Sequence, residues 1–254
     1  PFARNPTPRL ITGAFGVIDC LNSNPNDLRA NSRAASRLTM QYPHIRSFAR
    51  VSGRGRLSDA QRRALTDALP RWTWQPDLDD WQPEIVEIGF GNGEALLQAA
   101  AESPSKHFLG IEVYAPGVGY FLSRAVSSGL SNVRVAREDA ILVLPRIRDQ
   151  SVAEFRLWFP DPWPKKRHHK RRIVQPDFVS LLAQKLRFGG RVHFATDVQD
   201  YAHQMLETLS GEALLRNVVS CGFSPRPESR PLTRFENRGI RLGHEVFDLL
   251  FERC

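Results

Sequence analysis

The sequence predicts an α/β fold: a doubly wound, mostly parallel, seven-stranded sheet with an antiparallel C-terminal edge hairpin. Three observations predict it. From about residue 83, short apolar runs alternate with helical segments, one helix between successive runs. A glycine-rich turn joins the first run to the first helix. Of the 254 residues 41% are hydrophobic, enough for one sizeable core without a disulfide or metal staple. Strands separated by single helices require right-handed crossovers, hence parallel pairing and helices on both faces.

Residues 1–39, rich in Asn, Pro, Ser and Arg, read as a poorly ordered extension outside the fold. Met40, one of two methionines, sits where that stretch ends and is a candidate start. Residues 40–82 form a basic N-terminal segment with a helix opened by Ser58-Asp59 and closed near Pro70. The main domain spans 83–254. Its strands are expected at 85–88, 108–112, 133–136, 155–159, 190–196, 214–220 and 244–252. Helices are expected at 94–102, 116–128, 140–146, 176–187 and 199–209. The last strand alternates more than the others, which suits an antiparallel pairing with 214–220.

Net charge is +8 and the isoelectric point about 9.9. Residues 1–63 hold eleven Arg, no Lys and three Asp, and residues 165–172 hold six Lys/Arg and two His. The remainder is net acidic. Two concentrated basic zones on an acidic body favour a polyanion partner, and their arginine content favours nucleic acid. No apolar run approaches the roughly 20 residues of a membrane helix, and no signal peptide opens the chain. Cys20, Cys221 and Cys254 have no metal-like or redox-like spacing, so the chain reads as a reduced cytoplasmic protein. The seven His show no ligand spacing and there is no nucleophile elbow, which argues against a metal enzyme or a hydrolase.

Chemistry first surfaces in Glu87-Ile-Gly89-Phe-Gly91-Asn-Gly93, between the first strand and first helix. Glycines let the chain turn sharply and let backbone approach a ligand closely. Their G-x-G-x-G spacing, with no Lys-Ser/Thr following, differs from pyrophosphate and triphosphate fingerprints. It resembles instead the first motif of S-adenosylmethionine-dependent methyltransferases, with Glu87 facing the cofactor's amino end. Glu112 ends the second strand, where an acid takes ribose hydroxyls, and Asp139 follows the third, within reach of an adenine amino group. Each acid could equally be a helix cap or turn residue, but three at successive strand ends favour a cofactor site.

The run Trp158-Phe-Pro-Asp161-Pro-Trp163-Pro-Lys165 follows the fourth strand. Prolines on both sides of Asp161 remove amide donors and stiffen the loop, so the carboxylate and an indole face are presented with little freedom.

Taken with Ile45-Arg-Ser-Phe-Ala-Arg50, Gly110-Ile-Glu-Val-Tyr-Ala-Pro-Gly-Val-Gly119, Ala195-Thr-Asp197-Val-Gln-Asp-Tyr201 and Thr233-Arg-Phe-Glu-Asn-Arg-Gly239, these motifs resemble the tRNA (guanine-N7)-methyltransferase family over residues 44–252. The resemblance implies a Rossmann-like class I methyltransferase acting on guanosine 46 of the tRNA variable loop, as a monomer or homodimer. It implies that Glu87, Gly89, Gly91, Gly93, Glu112, Asp139 and Asp161 meet S-adenosylmethionine, with Asp161 catalytic. Lys165, Asp197, Thr233, Arg234, Phe235 and Glu236 would meet substrate, and Arg167, His168, His169, Lys170, Arg171 and Arg172 would meet RNA. Without it, Thr196-Asp197 reads as a strand-end turn and Thr233–Glu236 as a polar loop.

Guanine N7 carries a lone pair and no proton, so methylation there calls for orientation and charge stabilisation, not a general base. Two alternatives stand beside this reading. One is methylation of another RNA or of an exocyclic amine, for which Asp161-Pro-Trp lacks the usual paired prolines. The other is a tRNA-binding protein with a vestigial cofactor site.

Overall fold

The computed structural model describes residues 57–76 and 81–254. The extension at 1–39, Met40 and the Ile45–Arg50 motif lie outside the described residues. The helix expected from Ser58-Asp59 begins there as α1 (Asp59–Arg63), where Ser58 and Gln61 close a reciprocal capping box. Its helical course ends at Trp72, close to the expected Pro70. A π-helical stretch (Ala64–Ala68) carries the chain into α2 (Leu69–Trp72), with Pro70 in its first turn. A proline ring clashes with the carbonyl four residues back in a regular helix, and a wider turn relieves that clash.

Seven strands form one sheet among the described residues: β1 (Ile85–Ile88), β2 (Phe108–Ile111), β3 (Val133–Ala136), β4 (Val152–Trp158), β5 (Leu186–Thr196), β6 (Leu215–Asn217) and β7 (Phe247–Arg253). Their order is β3-β2-β1-β4-β5-β7-β6. The first five run parallel, while β7 is antiparallel to both β5 and β6. The crossovers are α3 (Glu94–Glu102), α4 (Ala115–Ser127), α5 (Ala140–Val143) with a 3₁₀ extension (Leu144–Arg146), and α6 (Pro176–Lys185). Helix α7 (Gln199–Ser210) links β5 to β6. The C-terminal pairing is the expected antiparallel edge hairpin, with β7 inside and β6 at the rim.

Both faces of the sheet are packed, which is why its strands read as continuous apolar runs. Val86, Ile88, Leu109 and Ile111 enter one core with Phe178 and Leu182, and Ile85, Phe108, Val133 and Val135 enter the other with Phe121 and Leu96. Glu87 is the exception in β1, an acid only 4% exposed. Strand order reverses between β1 and β4, so the loops leaving these two neighbours emerge side by side at one end of the sheet. Such a switch point is where open α/β sheets bind ligands. No helix among the described residues is long and apolar enough to cross a membrane.

Candidate active site

Gly89, Gly91 and Gly93 all adopt positive φ, between 58° and 73°. Open space lies where side chains at Gly89 and Gly91 would point, whereas at Gly93 a side chain would strike Phe121. Gly117, at the start of α4, lies so close beneath the loop that any side chain there would meet the carbonyl of Gly91. Glu112 clasps the loop from below: its Oε2 accepts from Gly91 N at 2.8 Å, and its Oε1 from Val113 N at 2.7 Å and Tyr114 N at 2.8 Å. About one of a carboxylate's roughly four acceptor sites is thus left for a ligand hydroxyl. Asp139 caps α5, accepting from Ile141 N at 3.0 Å.

Glu87 differs. Its Oε2 is buried without a hydrogen-bond partner. Burial pushes its carboxyl up to about 7; the nearby Arg156 guanidinium pulls it down and Glu154 pushes it further up. A buried acid lacking a donor, beneath a loop with open space above two glycines, fits a ligand that brings a cationic amine. These residues therefore suit S-adenosylmethionine, whose amino end Glu87 would meet.

Beyond β4 the chain rises into the Asp161 loop. Three non-glycine residues among those described have positive φ, and two of them, Phe159 (54°) and Trp163 (43°), bracket Asp161. Such conformations cost about 1–3 kcal/mol each and persist where the surroundings enforce them. Phe159 N donates to Ala195 O at 2.7 Å, anchoring the loop to β5. Asp161, Trp163, Lys165 and His168 line a pocket of about 300 Å³. The Arg171 guanidinium lies 5.0 Å over the Trp163 ring, and the His168 ring stands at 89° to it, with centroids 5.9 Å apart.

The basic run forms a 3₁₀ helix (Lys166–Arg171), which the sequence reading did not anticipate. Lys165, Lys166, Arg167 and Lys170 are exposed, while His168, His169 and Arg171 are half-buried. Arg172 corrects the expectation outright. Its side chain is buried, with Nε donating to Pro162 O at 2.9 Å and the other nitrogens to Gln204 at 2.6 Å and Asp200 at 2.5 Å. Its guanidinium also stacks 4.6 Å over the Tyr201 ring, and the His169 ring turns toward it at 3.1 Å. Arg172 therefore holds the Asp161 loop from behind and presents nothing to RNA. The hydrogen bond from Arg172 keeps the Asp200 carboxyl below its ordinary range, against a small effect of burial.

Thr233 through Glu236 is not a loop but the start of α8 (Arg234–Arg241), whose first two side chains lie outside the described parts. Thr233 caps it, its hydroxyl accepting from Glu236 N at 3.1 Å. The signal was in the sequence: Thr-x-x-Glu is a capping-box pattern. Glu236, expected at substrate, is buried and gripped by Arg226 and Arg230 instead. Burial opposes its ionisation, but those hydrogen bonds outweigh it and hold the carboxyl low. Asp197 does meet this helix, lying against Gly239, and it pairs with His244 beyond the helix end at 3.1 Å.

A family model described as "Putative methyltransferase" matches residues 81–249. The tRNA (guanine-N(7)-)-methyltransferase of Bordetella pertussis is 49% identical over 221 residues, covering 83% of this chain and 86% of that protein. That of Thiobacillus denitrificans is 48% identical, covering 83% and 96%. Among solved structures, the 16S rRNA methyltransferase KamB shares the fold at 16% identity, with a TM-score of 0.50 over 78% of this chain and 94% of that one. With a class I methyltransferase fold, a glycine loop at its switch point and identity of this extent, the chain belongs to the tRNA (guanine-N7)-methyltransferase family.

Proposed function

We propose that this protein methylates N7 of guanosine 46 in the variable loop of tRNA, with Asp161 at the reacting centre. The observation that carries the reading is the adjacency of two loops. Glu87 and Arg156 are register partners on neighbouring parallel strands, so the glycine loop after β1 and the Asp161 loop after β4 leave the sheet together. Beside them the exposed Lys166, Arg167 and Lys170 offer charge to phosphates. S-adenosylmethionine supplies an electrophilic methyl on its sulfonium. Glu87 meets its amine, Glu112 a ribose hydroxyl and Asp139 its adenine. Lys165, Asp197 and Thr233 lie toward the guanosine.

The residues have a positioning task. N7 needs no deprotonation, so no side chain has to remove a proton before transfer. Asp161, on a strained loop braced by Ala195 and Arg172, accepts from guanine N1–H and its amino group, or from the cofactor's amine. Its charge offsets the positive charge that grows on the purine. N7 faces the major groove, too deep and narrow in A-form RNA for side chains, so the target lies in an irregular region such as the variable loop. Methyl transfer to unmodified tRNA, followed by borohydride–aniline cleavage at 7-methylguanosine, tests the reading. Cleavage at guanosine 46 supports it, and label without cleavage defeats it.

Two further outcomes are expected. Because Glu87 titrates near 7, cofactor affinity should rise with pH through that value, and calorimetry on Glu87→Gln should give a weaker, pH-independent affinity. The sign for stability is opposite. A carboxyl raised from 4.5 to about 7 contributes stability below pH 4.5 and loses it as pH rises through 7. Glu87→Gln should therefore raise the apo melting temperature at pH 8 but not at pH 4. An unchanged pH step in affinity would remove Glu87 from the cofactor site.

Replacing Lys166, Arg167 and Lys170 together by Ala should flatten the salt dependence of tRNA binding by about 2 to 3 in log–log slope. Cofactor affinity should stay as it is. An unaltered slope would mean that these three cations do not face phosphates.

A further inference from the structure

The interior holds a second set of ionised groups that the chemistry above does not use. Arg230 is at its centre, with a fully buried side chain. It donates to Glu236 through both terminal nitrogens, at 2.6 and 2.8 Å, and to Asp248 at 3.0 Å, with Nε 2.8 Å from the other Asp248 oxygen. Asp248, on β7, also meets His193 of β5 at 2.7 Å. Arg226 completes the cluster, donating to Glu236 at 2.8 Å and to the carbonyl of Arg230 at 2.6 Å. The two arginines thus balance the two carboxylates. On its remaining side the Arg230 guanidinium lies 5.7 Å from the ring of Phe159, the strained residue that opens the Asp161 loop.

We propose that Arg230 is a positioning residue, locking the start of α8 and the Asp161 loop into one fixed relation so that guanine is aligned for transfer. The proposal rests on the reading that Asp161 and Thr233 serve one reaction. A buried ion cluster is weak as a stabiliser, because apolar residues of similar size usually match or exceed it once desolvation is counted. What it supplies is direction. The guanidinium is a rigid planar fork, and each of its edges is committed here: one to the helix that Thr233 caps, one to the sheet. Its face is left for Phe159. Lysine at this site would keep the charge and lose the second and third bonds. Arg230 does not line the pocket formed by Asp161, Trp163, Lys165 and His168, so it acts on that site through Phe159.

The test is amide hydrogen exchange on full-length Arg230→Met and Arg230→Lys, alongside kinetics. In the Met variant, peptides that carry the Phe159 amide inside them, bonded in wild type to Ala195 O, and peptides over 233–241 should lose protection together, while those over 85–112 stay as in wild type. Loosening of 233–241 alone would overturn the coupling, and so would loosening of all three. The Lys variant serves if the Met variant fails to fold, and the same two peptides are read. In kinetics, Lys at 230 should lower kcat for tRNA about 10- to 100-fold, the scale of a misplacement near 1 Å. Cofactor Kd should be unchanged. A folded Lys variant with wild-type kcat and exchange defeats the proposal. Exchange needs no activity, so a wild-type protein that left guanine N7 unmethylated would defeat the functional reading and still leave the coupling measured.

Discussion

Asp161→Ala should lower single-turnover methyl transfer about 10²- to 10³-fold, the usual effect of removing one preorganised electrostatic group at a reacting centre. Folding should be spared. Asp161 is exposed, and substitutions at exposed positions usually change stability by no more than about 0.5 kcal/mol. Asn separates the roles of charge and shape. If Asp161 offsets growing positive charge, Asn should cost nearly as much as Ala, because its amide keeps one acceptor oxygen and loses the charge. If Asp161 only orients guanine through one hydrogen bond, Asn should recover most of the rate. Neither version predicts a solvent isotope effect, since N7 gives up no proton. A large one on the chemical step, with rate tracking a deprotonated Asp161, would make the residue a base and defeat the mechanism.

Arg172→Ala should be the most destabilising single change in the basic run, at about 2–3 kcal/mol, because it removes a buried side chain whose hydrogen bonds tie Pro162 and Gln204, both half-buried, to the exposed Asp200. At roughly 2–4 °C per kcal/mol for a chain of this size, the melting temperature should fall by about 4–12 °C. Activity should fall as well, since the freed carbonyl of Pro162 follows Asp161 directly. Thermal denaturation, tRNA affinity and turnover on Arg172→Ala and Lys170→Ala distinguish two roles. Ala at 172 should lower stability and kcat, while Ala at 170 should lower only tRNA affinity. An Arg172→Ala protein with wild-type melting and weakened tRNA binding would restore the phosphate-contact role that the sequence suggests.

That contrast marks where sequence reading is strong. The strand at 85–88 and the helix at 94–102 have the predicted bounds, because a glycine loop between an apolar run and an amphipathic segment leaves the chain little choice. Glu112 and Asp139 are legible as strand-end acids, and both accept from backbone amides, which is the part the cap reading describes. Arg172 was missed because eight consecutive polar residues give no periodicity, and only tertiary packing on Tyr201 singles out the last of them. Helix α8 was missed though Thr233 and Glu236 carry its start signal, since no apolar periodicity follows. The Arg230 cluster had no local signature at all: its members come from β5, β7, α8 and the segment before it.

The place of β7 has a consequence for the order in which the protein becomes competent. β6 pairs with nothing in the sheet except β7, and β5 gains its second neighbour only from β7. The five parallel strands close through sequential crossovers and can assemble the cofactor half early, whereas the antiparallel edge must wait for a strand that lies some 50 residues beyond its partner. Asp248 arrives on that strand. Cofactor binding should thus be gained first during refolding and methyl transfer last, with a lag set by insertion of one hairpin.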